Sequence, residues 1–426
     1  MVSRRTSLLL ALLIAGCGGV GTGVQSSIGP SGGGKPLVSQ QAPPSQFIEF
    51  PIPYSSCDAP LSIAAGSDGN LWFTSENGKS ICSVSIAGTF ATYASPNYPY
   101  DIAAGKTGNL WYTEPTASKI AQMTLSSHGI TEFPTKTSSA DPTAIAKGPD
   151  GNMYFAEATV DKIGRVLSSG LVQEYSLSAS YGPPTAIASA SNGLWYTFGL
   201  GSALGLTTTS GTSSTYLFGT GVHANSVIAL GEDGNLYSYD YSNAALAEMT
   251  TAGTYVGEYP IPGGPVYVDI TLGSDGNLWL IDPFANSLVS FNTTSKTFSS
   301  AYQIPTASSV PNSATTGPDG NIWFTETGTN KIGVYVLLAQ TATPSSINFT
   351  AVAQTQTFTV SETNYTGNFT VSGCPTSIVT ITPTTAAKKF TVTAKGAGEC
   401  TLTVADTKQN TSPIAVAVTT TTIPVQ

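Results

Sequence analysis

Histidine and arginine are nearly absent from this sequence. Of 426 residues only 2 are histidine, and Arg165 is the single arginine beyond Arg4 and Arg5. Lys and Arg number 16 against 25 Asp and Glu, a formal net charge of −9. Nucleic-acid binding requires clustered Lys and Arg to displace counterions; no such cluster exists, so nucleic acid is excluded as a partner. Charged residues of all kinds make up only 10%, too few to suit a helical cytosolic enzyme. The longest N-terminal apolar run, Leu8 to Ala15, falls well short of the about 20 residues that cross a bilayer as a helix. Also missing are a P-loop, a Gly-x-Ser-x-Gly elbow and a His-Glu-x-x-His zinc helix.

What remains is rich in Gly, Ser, Thr, Asn and Tyr, a composition suited to a β-rich protein facing the cell exterior. Arg4 and Arg5 precede the Leu8–Ala15 run, followed by Gly16 and Cys17. That order predicts a secretory signal over residues 1–16. Leu13-Ile14-Ala15-Gly16-Cys17 has the form of a bacterial lipobox, so Cys17 is the expected lipidation site and the mature chain is anchored to a membrane surface. Gly18 and Gly19 give no Asp-type inner-membrane retention signal, which suggests the outer membrane in a Gram-negative host. Residues 17–45, rich in Gly, Ser, Pro and Gln, are expected to be a flexible tether. The other four cysteines, Cys57, Cys82, Cys374 and Cys400, are an even set in an exported chain. Disulfides are expected, with 57/82 and 374/400 as the natural pairs.

A repeat decides the fold. GPDGNIWFTE from Gly317, GPDGNMYFAE from Gly148 and GSDGNLWFTS from Gly66 are its best copies, with weaker ones from Gly105, Gly231, Gly273 and Ala190. The turn glycines 69, 108, 151, 193, 234, 276 and 320 recur at intervals of 39 to 44 residues, the period of a four-stranded propeller blade. Asp-Gly-Asn signals a tight hairpin. A short apolar strand precedes it, an alternating Leu-Trp-Phe-Thr strand follows, then Lys-Ile-Gly and Ile-Thr-Glu-Phe-Pro types of segment. Phe47-Ile48-Glu49-Phe50-Pro51 is a fourth-strand sequence with no blade before it, and the seventh repeat lacks a fourth strand. The leading strand is therefore expected to complete the last blade and close a seven-bladed ring over residues 46–338, leaving no exposed edge. Trp72, Trp111, Trp195, Trp279 and Trp323 share one repeat position and are expected to pack between blades. Residues 344–426 turn to Thr and Val; Thr357–Ser361, Phe369–Gly373, Phe390–Ala394 and Thr401–Val404 alternate as sandwich strands. Gly398-Glu399-Cys400-Thr401-Leu402-Thr403-Val404 resembles bacterial Ig-like modules, which implies a spacer or adhesive unit.

The blade motif GPDGNIWFTE, with Asn330-Lys331-Ile332-Gly333 and the Ile130-Thr131-Glu132-Phe133-Pro134 strand, resembles the virginiamycin B lyase (streptogramin lyase) family. The resemblance implies a seven-bladed propeller that opens cyclic streptogramin B antibiotics by magnesium-assisted elimination at an ester. In the family pattern a catalytic histidine lies two residues before the apolar residue of a first strand, and a glutamate follows fourteen residues later. Both positions are expected on one face of the ring, beside its axis. Carried onto this chain, the histidine positions are Leu61, Tyr100, Thr143, Thr185, Ser226, Val268 and Asn312. None is histidine. The glutamate positions are Ser75, Glu114, Glu157, Phe198, Asp240, Asp282 and Glu326, five of them carboxylates.

Those five acids are either ligands for Mg²⁺ or Ca²⁺, acceptors for a sugar or peptide, or members of structural hydrogen-bond networks. Tyr100 and Asn312 are candidate ligand contacts. His223, three residues before the blade-five histidine position, is the one candidate proton-transfer group; otherwise it is an ordinary loop residue. His128, in a turn between third and fourth strands, reads as a solvated residue of the opposite face. The favoured reading is a monomeric, lipid-anchored surface protein that binds a small molecule, glycan or protein without catalysis. The alternatives are a divergent metal-assisted carbon–oxygen lyase acting on an ester or cyclic depsipeptide, and a purely structural envelope protein.

Overall fold

Each repeat begins with a turn that its own side chains hold shut. The computed structural model describes residues 46–419, apart from 76, 107, 263–266, 338–340, 362–367, 387 and 406–410; the signal, Cys17 and the tether lie outside the described residues. Asp68 Oδ1 accepts the backbone N–H of Asn70 and the indole Nε1–H of Trp72. Asp275 and Asp319 do the same for Trp279 and Trp323. Asp150 and Asp233 take a tyrosine hydroxyl instead, from Tyr154 and Tyr237. Gly69 sits at φ +83°, a left-handed conformation open to glycine. Gly66 is small for a different reason, since a Cβ there would lie 2.7 Å from the Trp72 ring. The G-x-D-G-N-x-W spacing thus encodes a turn and its stapled aromatic together.

Among the described residues seven antiparallel sheets form the repeat region, each a meander in which the first strand is innermost. Blade one, for example, is Pro60–Ala65, Asn70–Ser75, Ser80–Ser85 and Phe90–Ala94. In blade six the fourth strand is broken into Thr297–Phe298 and Tyr302–Gln303. Blade seven, Pro311–Thr316, Ile322–Glu326 and Lys331–Tyr335, receives Phe47–Pro51 as its outer strand, paired from Phe47↔Tyr335 to Pro51↔Lys331. The first strands neighbour one another in cyclic order, the seventh against the first. The ring closes as expected.

Seven hydrophobic clusters lie between consecutive blades rather than within them. Trp72 of blade one packs with Ile102 and Tyr112 of blade two, and Trp323 of blade seven with Ile63 and Phe73 of blade one. Tyr154 and Tyr237 take the same position where tryptophan is absent. The third-strand glycines belong to this packing. A Cβ at Gly164 would fall 2.1 Å from the Phe155 ring, and one at Gly333 would fall 2.2 Å from Phe324. Gly164→Ala should therefore lower stability by about 1–3 kcal/mol, the range for overpacking a filled core. A thermal melt unchanged from wild type would show that the Phe155 ring yields freely.

From Thr341 to Val418 the chain builds two further sheets, of four and five strands, around one cluster that includes Phe349, Phe358, Phe369, Phe390 and Ile414. The four segments expected as strands all lie in it. The disulfides are Cys57–Cys82 and Cys374–Cys400. No helix among the described residues is long and apolar enough to cross a membrane.

Candidate functional site

First strands of five blades open with a β-bulge. In blade one, Pro60 pairs with Ser75 and Ile63 with Phe73, so Leu61 and Ser62 together oppose Thr74. Blades three, four and seven show the same irregularity. A bulge re-aims the side chains it carries, and in blades one, three, four and seven it brings bulged residues to the axis. Threonine of the W-F-T segment fixes the bulge. Thr74 Oγ1 accepts the Ser62 N–H and donates to the carbonyl of Tyr100 in the next blade; Thr113 links Asp101 to Thr143, and Thr325 links Ser313 to Leu61, in the same way.

These residues enclose a cavity of about 380 Å³ on the axis, with wall residues from all seven blades. Six of the seven positions that the resemblance assigns to histidine line it: Leu61, Tyr100, Thr143, Thr185, Val268 and Asn312. Tyr100 and Asn312, the candidate ligand contacts, are among them. The next residue of each first strand forms the wall behind. Asp269, Ser313, Ser62 and Asp101, from blades six, seven, one and two, make a polar arc; Ala144, Ala186 and Val227, from blades three to five, make an apolar one.

Asp101 and Asp269 escaped the sequence reading. The signal was there, an acid directly before the first-strand isoleucine in Tyr100-Asp101-Ile102 and Val268-Asp269-Ile270, but nothing marked that position as axial. Both join blades. Asp101 accepts from Ser62 Oγ at 2.6 Å, from its neighbour Ile102 N and from Ile145 N of blade three at 2.8 Å. Asp269 accepts from Ile270 N and from Ala314 N of blade seven, each at 2.8 Å. Burial pushes the carboxyl of Asp101 above its usual range, against the pull of the Ser62 and backbone hydrogen bonds. Burial likewise raises Asp269, to about 6, with the charge of Asp101 adding a little.

The five acids expected beside the axis are elsewhere. Glu114, Glu157, Asp240, Asp282 and Glu326 are all buried, and none lines the cavity. Asp240 caps the N–H groups of Ser242 and Asn243, and Asp282 those of Phe284 and Ala285. Glu114 takes hydrogen bonds from Ser95 and Asn97. Glu157 has no donor on either oxygen, and Glu326 none on Oε1. Their neighbours are fourth-strand carboxylates, Glu174 and Glu49, which third-strand Lys162 and Lys331 neutralise. Burial and the charge of Glu174 lift Glu157 to about 8; burial and Glu49 lift Glu326 to about 7. Burial alone would raise Glu174 too, but Lys162 and Thr137 outweigh it and take it to about 2. The second strand lies one place outward from the first strand that lines the cavity, and its last residue approaches the fourth-strand acid, Glu174 for Glu157 and Glu49 for Glu326. Among the described residues no group of three or more His, Cys, Asp or Glu is positioned to hold a metal. The five acids do not fit the role of magnesium ligands.

His223 is also off the axis. It is not among the cavity-lining residues; its Nδ1 lies 3.2 Å from the Gly221 carbonyl oxygen and its ring 6.0 Å from that of Tyr241. The blade-five bulge is longer than the others, with three residues between Ala224 and Ile228 opposing Tyr239 where the other bulges have two. It absorbs the extra length that would have carried His223 inward. His128 is an exposed turn residue as expected, with φ +56°, stacked on Tyr93 of blade one at 4.2 Å.

The model of the virginiamycin B lyase family matches residues 19–220, 95–342 and 186–417, overlapping registers of the kind a repeat array produces. Virginiamycin B lyase from Staphylococcus aureus is 25% identical with a TM-score of 0.62, covering 68% of this chain and 98% of that one. A streptogramin B lyase is 27% identical at the same TM-score, covering 68% and 96%. A catalytically inactive histidine-to-alanine variant of the S. aureus enzyme, solved with quinupristin, is 26% identical, also with TM-score 0.62, covering 68% and 98%. No curated protein matches.

Proposed function

This chain belongs to the virginiamycin B lyase family, and from that premise we propose that it is a non-catalytic, ligand-binding member held at the cell envelope by lipid on Cys17. The observation that carries the reading is the wall of the axial cavity. Every blade contributes to it, yet hydroxyl, amide, carboxyl and apolar side chains stand there, with no histidine to move a proton. A fold does not transfer an activity; the site must supply it. The S. aureus variant described as catalytically inactive and solved with quinupristin supports the idea that the scaffold and turnover are separable. The disulfides point to an oxidising, extracytoplasmic location. The C-terminal two-sheet unit is assigned as an Ig-like spacer or adhesive element.

The purified chain, incubated with quinupristin and followed by mass spectrometry, should leave the antibiotic intact, and His223→Ala should change nothing. Ring-opened product accumulating with enzyme concentration would overturn the reading; its loss in His223→Ala would establish the lyase alternative with His223 as the proton-transfer group.

A further inference from the structure

The cavity wall has a definite charge character. Its only titratable acids are Asp101 and Asp269, and no Lys, Arg or His lines it. Both carboxylates already hold backbone N–H groups, but a carboxylate offers about four acceptor sites. The donors to Asp101 are Ser62, Ile102 and Ile145, and those to Asp269 are Ile270, Ala314 and the Ser313 side chain. Acceptor capacity therefore remains on a wall that has no cation of its own. Thr143 Oγ1 is buried there without a hydrogen-bond partner. An anion brought into this space would meet like charge at short range in a poorly hydrated setting.

The face of the ring that carries the bulges exposes several large apolar side chains. Blades are meanders, so the connections between second and third strands and those leading into first strands leave on the same face as the bulges. That face exposes Phe284 (68%), Leu200 (61%), Tyr241 (52%), Tyr100 (47%) and Tyr98 (46%). Among the described residues, the opposite face, made of the Asp-Gly-Asn turns and the third-to-fourth turns, exposes only Ile86 and Leu171 of its large apolar side chains. Of the side chains on the bulge-bearing face, Tyr100 lines the cavity itself; an exposed ring beside a concave, negatively charged opening favours a cation carried on an apolar body, since ring faces attract cations as well as apolar surface.

We infer that the axial cavity binds an organic ammonium compound, its ammonium group set against Asp101 and Asp269 and its apolar body against Tyr100 and the Ala144, Ala186 and Val227 arc. This rests on the reading of the axial cavity as a ligand site and names the ligand class. A volume of about 380 Å³ is at the small end of the range for ligand pockets. It suits an amine of modest size, with anything larger emerging past Tyr100.

Isothermal titration of the purified chain with phenethylamine, 2-phenylethanol and phenylacetate tests this, because the three share one body and differ in charge. At pH 7 the amine should bind at least about tenfold more tightly than the alcohol, the value of one charge-assisted contact, and phenylacetate should not bind. Amine affinity should weaken from pH 7 to pH 5 as Asp269 takes up its proton. Asp269→Asn should remove most of the amine's advantage; the wild-type comparison stands even if that variant folds poorly. Equal binding of amine and alcohol, binding of phenylacetate, or no amine binding would each overturn the ammonium assignment. The first two leave a ligand-binding cavity intact, and turnover of quinupristin would strike the proposed function without touching this result.

Discussion

A chain lacking Phe47–Pro51 should melt at least about 10 °C below the intact protein, and should aggregate as it does. Those five residues form the outer strand of blade seven although they precede blade one. Removing them strips the ladder to Lys331–Tyr335, together with the flanking bonds Ile52 N–H to Asn330 O and Val336 N–H to Gln46 O. Phe50, stacked on Trp323 at 5.7 Å, and Phe47, edge-on to Tyr335 at 5.0 Å, leave with it. Losing a buried phenylalanine costs about 3–5 kcal/mol, somewhat less for these half-buried ones. Glu49 is lost as well, and with it the partner of Lys331 and the acceptor for Thr306 N–H and Oγ1. Each kcal/mol moves the melting point of a domain this size by about 2–4 °C. The variant Phe47→Ala/Phe50→Ala keeps the backbone strand and should fall between the two. Differential scanning calorimetry of the three proteins checks the order; a deletion variant that melts with wild type would mean that the ring does not depend on its closing strand.

Between pH 5 and pH 8 the propeller should lose stability, roughly 2 kcal/mol after allowance for solvent screening, where a protein whose carboxylates are all paired would hold steady. The cause is the acid pair inside each of several blades. Glu157 is raised to about 8 and Glu326 to about 7, so the folded state keeps protons that an unfolded chain releases near pH 4.5. Their favourable contribution is complete below about pH 4.5 and drains away as pH climbs toward 7 and 8. Glu174, drawn down to about 2 by Lys162 and Thr137 despite its burial, works in the opposite sense; its contribution is present above about pH 4.5 and vanishes as pH falls toward 2. The melting temperature should therefore peak near pH 5. Glu157→Gln replaces a carboxyl that is neutral when folded with an uncharged isostere. It should raise the melting temperature at pH 8 by about 2–4 °C, leave it nearly unchanged at pH 5 and flatten the profile. Denaturant or thermal melts across this range decide it, and a variant with the same slope as wild type would remove Glu157 as the source.

The axial site was legible only in part. The spacing rule carried over from the family placed Tyr100, Asn312 and four companions on the cavity wall, because a position fixed relative to a recurring turn keeps its place in every blade. The same rule misplaced its second half. Glu114, Glu157 and Glu326 share a repeat position just as firmly, but which neighbour that position faces depends on how the outer strands fold back over it. His223 failed for a local reason, a bulge one residue longer than its equivalents. Asp101 and Asp269 were missed because two acids among seven copies look like ordinary variation until the ring brings blades six and two to one space.

Sequence alone determined the number of blades, the closing strand, the tryptophan packing and the cysteine pairs. The first three follow from contacts that repeat at a fixed interval or from the count of strands per repeat, and the cysteine pairs from an even set of cysteines lying two by two along the chain. Tertiary structure decided what faces the axis and what is sealed inside a blade. That choice depends on bulges and on inter-blade hydrogen bonds, Thr74 to Tyr100 or Asp101 to Ile145. Such contacts join residues 26 and 44 positions apart, and no local pattern records them.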